Sequence, residues 1–101
     1  MKIDKQIKNG YVLLLLEGEL NFYNISELKE ALQEVIQSKD RSLVLDMKLV
    51  SYIDSNAIGV IHNTRTKLLS ANKDLYINNL SSELQEILRI MGLSFPEMRM
   101  D

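Results

Sequence analysis

The six residues YVLLLL at positions 11–16 constrain the fold more than any other stretch of this chain. A run that is apolar at odd and even positions alike offers no strand face suited to water, so it reads as a strand in the interior of a sheet. Before it, Ile3 and Ile7 flank polar residues, and Asn9-Gly10 is a favoured two-residue turn, so the chain opens with a hairpin. After it the hydrophobic period changes. In ELNFYNISELKEALQEVIQSKD, residues Ile25, Leu28, Leu32, Val35 and Ile36 recur at helical spacing and leave Lys29, Glu30, Gln33 and Glu34 for water. Asn24 with Glu27 has the spacing of a capping box, and Tyr23 is placed to pack on Leu28 as a hydrophobic staple.

The alternation continues to the end of the chain. SLVLDM is a short strand, KLVSYID reads as a connector, and a helix is expected from about Asn56 to Leu69. Ala57, Ile61, Thr64 and Leu68 line one side of it, with Ile58 and Val60 beside them. DLYIN is a further strand. In SSELQEILRIMG, residues Leu84, Ile87, Leu88 and Met91 share a helix face, with Ser81 or Ser82 as cap and Gly92 as stop. The tail LSFPEMRMD is left unassigned, and Pro96 argues against a long central strand there. The order is β-β-α-β-α-β-α. It predicts one α/β domain over residues 1–101, with a mixed sheet of about four strands and parallel pairing after the first hairpin.

Charge and composition exclude several functions. With Lys+Arg 12 against Asp+Glu 14, net charge is −2 and no basic stripe is present, so no direct nucleic-acid partner is expected. There are no cysteines, which rules out a disulfide scaffold and thiol chemistry. MKIDKQIKNG lacks the apolar core of a signal peptide, and YVLLLL is far shorter than the roughly 20 residues that span a bilayer. The expectation is a cytoplasmic protein with no direct membrane insertion.

Catalytic machinery is not recognisable. The single histidine, His62, lies seven residues beyond Ser55, about 10 Å along a helix at ~1.5 Å per residue, too far for a nucleophile–base pair. His62 reads as a partly exposed helix residue. There is no metal motif and no glycine-rich phosphate loop, since Gly10, Gly18, Gly59 and Gly92 are isolated. Asp46 and Asp54 are given structural roles. No enzyme activity, catalytic residue, metal or cofactor is expected.

Three stretches, EGELNFYNISELKEAL, SLVLDMKLVSYIDSNAIGVI and DLYINNLSSELQEILRIMGL, resemble in order and spacing the STAS domain of bacterial anti-sigma factor antagonists. The likeness runs from about Tyr11 to Leu93. Its most specific part is LVLDM followed by YIDSNAIGV, where such proteins commonly read Asp-Ser-Ser-Gly or Asp-Ser-Thr-Gly. The resemblance implies a STAS-like fold. It also implies a partner: an anti-sigma factor, often a histidine-kinase-like ATP-binding protein, which phosphorylates one Ser or Thr at the start of the second helix and so ends the complex. A phosphate there adds about −1.5 to −2 charges to the interface, while the helix N-terminus accommodates the anion.

This chain departs from that pattern at the acceptor itself, which is Asn56. Ser55 matches the neighbouring Ser, not the usual acceptor. Ala57 replaces a glycine, Asn21 stands where an aspartate is usual, and the glycine common after the second helix is missing from SANKD. Asn56 then reads either as a tolerated surface residue or as an uncharged stand-in for the unphosphorylated state, Ser55 as a helix cap whose own phosphorylation is not expected, and Asp54 as the residue ordering the loop. The expected partner-binding set is Asn21, Phe22, Tyr23, Asp54, Ser55, Asn56, Ala57 and Gly59. Phe22 either anchors a partner or faces the core. Two other readings stay open: a STAS subunit bound to the ATPase of a membrane transporter, and a small-ligand sensor at the carboxyl ends of the strands. Oligomeric state is not legible.

Overall fold

A computed structural model describes residues 1–38 and 41–100. Lys39 and Asp40, which end the stretch read as the first helix, lie outside the described residues, as does Asp101. The elements are β1 (Lys2–Ile7), β2 (Tyr11–Leu20), α1 (Ile25–Ser38), β3 (Ser42–Ile53), α2 (Ser55–Ser70), β4 (Leu75–Asn78) and α3 (Ser82–Ile90). The expected order is therefore the observed one. One four-stranded sheet runs β1-β2-β3-β4, antiparallel in its first pair and parallel in the other two. YVLLLL lies on an interior strand, as its two apolar faces required. Gly10 takes the positive φ of the hairpin turn, +88°.

Alternate residues of the strands face the helices. Val12, Leu14 and Leu16 of β2, Leu43, Leu45 and Met47 of β3, and Leu75 and Ile77 of β4 form one core with Leu28, Leu32, Ile58, Ile61, Leu84 and Leu88 of the helices. All three helices thus cover one face of the sheet. On the other face Val44 is fully buried among strand side chains, while Leu13, Leu15 and Tyr76 are half-buried.

Three local expectations need correction. KLVSYI is not a connector but the second half of β3, which is 12 residues long. Its pairing with β2 shifts register twice, between Leu15 and Glu17 and between Gly18 and Glu19, with the extra residues on β3. Each bulge interrupts the alternation of apolar and polar residues, so the strand does not read as one in sequence. The first helix lacks the capping box. The Asn24 side chain turns away from the helix, accepting from Asn21 N–H at 3.0 Å and donating to the Glu19 carbonyl at 2.7 Å. With the turn closed by its own amides, the staple is not needed, and Tyr23 is 93% exposed. Finally, Met91 is the C-cap of α3 and is exposed. Gly92 (φ +72°) reverses the chain there, Leu93 N–H bonds the Leu88 carbonyl at 3.0 Å, and Leu93 packs on the core instead.

The tail, unassigned in sequence, runs along the free edge of β4. Ile77 N–H bonds the Pro96 carbonyl at 2.9 Å, and the Asn78 side chain bonds both backbone groups of Met98, each at 2.9 Å. A sheet edge that would otherwise be open is covered by the chain's own end.

Candidate protein-interaction site

β2 and β3 lie side by side and end together, Leu20 opposite Ile53. The turn after β2, Asn21–Asn24, and the head of α2 after β3, Asp54–Asn56, are therefore neighbours. Asp54 joins them. Its backbone N–H donates to the Leu20 carbonyl at 3.0 Å. One carboxylate oxygen, Oδ1, accepts from Ala57 N–H at 2.9 Å and caps α2; the other, Oδ2, accepts from Phe22 N–H at 2.9 Å. The cap is thus Asp54 and not Ser55, which is already the first helical residue. A carboxylate at this position both meets a free N–H group and complements the positive end of the helix dipole. Asp54 orders the loop, as expected, and caps the helix as well.

The other sequence-derived residues fall in three places. Asn21, Phe22 and Tyr23 form the tip of the first turn, where Asn21 Oδ1 accepts from Tyr23 N–H at 3.0 Å. Phe22 is 64% exposed, so it does not face the core; its ring meets that of Tyr23 edge to face, with centroids 5.9 Å apart. Two large rings in water have no folding rationale in this molecule. Ser55 and Asn56 are exposed at the start of α2. Ala57 is wholly buried and belongs to the core, so its side chain does not reach the surface.

Gly59 is part-exposed in the second turn of α2, and a Cβ built on it would meet nothing within 4 Å. Glycine inside a helix costs about 0.5–1 kcal/mol relative to alanine, and the fold here imposes no need for it. The surface set is therefore Asn21, Phe22, Tyr23, Ser55, Asn56 and Gly59, held together by Asp54.

The set offers aromatic rings, an amide and a hydroxyl at one exposed surface. His62 is exposed on α2, two turns from Ser55. Among the described residues no group of three or more His, Cys, Asp or Glu is arranged to hold a metal ion. Also among them, no helix is long and apolar enough to cross a membrane. Sequence reasoning missed the double role of Asp54 because its second partner, Phe22, lies 32 residues earlier. The strand pairing that brings them together carries no local signal.

Comparison with known proteins agrees with the fold. The STAS domain family matches residues 2–100. The anti-sigma-B factor antagonist of Staphylococcus aureus is 29% identical over 93 residues, covering 92% of this chain and 86% of that protein. A Bacillus subtilis protein named as a candidate sulfate transporter is 36% identical over 78 residues, 77% of this chain but only 15% of its own length. Among solved structures, the anti-sigma factor antagonist SpoIIAA in its unphosphorylated form superposes with a TM-score of 0.79 at 14% identity, covering 99% of this chain and 90% of that one.

Proposed function

The chain belongs to the STAS domain family, and from that premise we propose that it is a partner-switching module that binds an anti-sigma factor through the Asn21–Tyr23 tip and the start of α2. The observation that carries this reading is the Asp54 carboxylate bonded to Phe22 N–H on one side and Ala57 N–H on the other. It holds two exposed aromatic rings beside an exposed, uncharged helix start. Aromatic residues are the side chains most often found as interface anchors, and the backbone that carries these two is tied down within the chain, by Asp54 at Phe22 N–H and by Asn21 at Tyr23 N–H. The likeness to an anti-sigma-B factor antagonist supports an anti-sigma factor as the partner class, which we read as a histidine-kinase-like ATP-binding protein met in the cytoplasm. With Asn56 at the acceptor position the module stays competent to bind, and partner release does not run through phosphate at that residue.

The test is a pull-down from native-host lysate with the tagged protein as bait and Asn56→Asp as comparison. An ATP-binding anti-sigma factor should be recovered, and less of it with the added charge. The likeness to a transporter favours one second reading, a STAS module serving a membrane transporter. Recovery of a transporter component in place of the anti-sigma factor would select that reading while keeping the same surface.

A further inference from the structure

Helix α2 contains no Asp or Glu among its 16 residues, in a chain whose net charge is negative. At 3.6 residues per turn, Asn56, Val60, Asn63 and Lys67 fall in one stripe along it, about 16 Å long at ~1.5 Å per residue. The stripe starts at the proposed partner site and borders a groove of about 200 Å³ between α1 and α2. Leu32, Ile36 and Val60 line its apolar part; Lys29, Asn63 and Lys67 are exposed at its rim. The acidic residues of α1 are turned elsewhere. Glu27, Glu30 and Glu34 share the far face of that helix, and Glu34 pairs with Lys5 of β1 at 2.9 Å.

Lys29 and Lys67 make no ion pair among the described residues. The acids that flank α2 in sequence are engaged elsewhere: Asp54 at its head has both oxygens on N–H groups, and Asp74 beyond its end pairs with Arg65. The surface from Asn56 to Lys67 is therefore apolar at its floor, with Lys29 on the α1 side near Val60 and Lys67 on the α2 side at its lower end.

Resting on the partner-binding reading above, we infer that the α1–α2 groove extends the interface and receives a segment of the partner protein carrying carboxylates opposite Lys29 and Lys67. Charge complementarity of this kind sets association rate and specificity, and salt weakens it. The groove continues the stripe that begins at Asn56, so a partner seated on the aromatic tip has a path along α2 that passes Lys29 first and ends at Lys67.

The test is titration calorimetry of the purified anti-sigma partner against the full chain and three variants: Lys29→Glu/Lys67→Glu, Asn56→Asp, and Lys2→Glu/Lys8→Glu as a control of equal charge change at the exposed β1 hairpin. Thermal unfolding confirms that each variant is folded. Reversal in the groove should weaken binding by about tenfold or more, while the hairpin control changes it by less than about threefold. The wild-type affinity should also fall as salt is raised. If Asn56→Asp weakens binding and the groove variant does not, the groove is not part of the interface and the partner reading stands. If the groove and hairpin variants weaken it equally, net charge is the cause and the inference fails. Absence of any binding by the anti-sigma factor removes the partner reading and the inference together. Binding of phosphatidylglycerol vesicles that is lost on groove reversal, with partner affinity unchanged, would assign the groove to a membrane surface and overturn the inference.

Discussion

In the proposed reading Asn56 occupies the acceptor position, and its amide offers a kinase no hydroxyl to phosphorylate. Asn56→Ser restores that hydroxyl at an exposed position on the first turn of α2. Incubated with ATP and the kinase-like partner, the variant should gain one phosphate by mass spectrometry, and the wild-type chain none at that position. Phosphate on the wild-type protein at Ser55 would show that the acceptor has moved by one residue. Asp54 makes the complementary case. Its carboxylate serves two N–H groups, so Asp54→Ala removes a helix cap and the tie to the aromatic tip at once. The expected cost is about 1–3 kcal/mol. Asp54→Asn keeps one acceptor oxygen and should recover part of the stability but not the tie. The Phe22 amide then exchanges faster with solvent than in the wild type, which hydrogen-exchange NMR reads directly.

At the scale of elements, α2 differs from its neighbours in carrying residues whose identity the fold does not require. Gly59→Ala should stabilise the protein by about 0.5–1 kcal/mol, because the added methyl group meets open space. If Gly59 lies under the partner, the same variant binds the anti-sigma factor more weakly while melting at a higher temperature. Opposite signs in the two measurements separate an interface role from a structural one. The end of α2 offers a second contrast. Asn72 at φ +61° closes the helix, with Lys73 N–H on the Leu68 carbonyl at 2.9 Å and Asn72 N–H on the Leu69 carbonyl at 3.0 Å. This is the pairing that usually ends in glycine, and asparagine tolerates the left-handed region well enough to replace it.

How much of this was legible depended on whether the governing contact was local. Leu28, Leu32 and Val35, or Leu84 and Leu88, read as buried helix faces because three- and four-residue spacing is visible in any window. The second half of β3 did not, because two bulges shift its period. The aromatic tip was legible as a composition but not as a surface. Whether Tyr23 staples a helix or stands in water is decided by amides that close the turn across Glu19, Asn21 and Asn24.

The whole molecule is a sheet with helices on one face, and its last strand and tail are tied back to α2 by one side chain. Arg65 of α2 gathers them. Its Nε bonds Asp74 Oδ1 at 2.8 Å, one guanidinium nitrogen reaches the Ser94 carbonyl at 3.2 Å, and the group lies 5.8 Å from the centre of the Phe95 ring. One side chain thus ties α2 to the start of β4 and to the tail that covers β4's edge. The ion pair is about a quarter exposed on each side, so screening reduces its worth. The carbonyl bond and the ring contact are lost with it. Arg65→Ala should cost about 1–2 kcal/mol, a fall of roughly 4–15 °C in melting temperature for a domain of this size. The loss should also be local. Ile77 N–H, bonded to Pro96, should exchange faster by more than the drop in global stability explains, while amides inside β2, paired on both sides, follow the global change alone. Uniform acceleration across the sheet would mean that the tail unfolds only with the whole domain, and that Arg65 acts on the core rather than as the fastening of the chain's end.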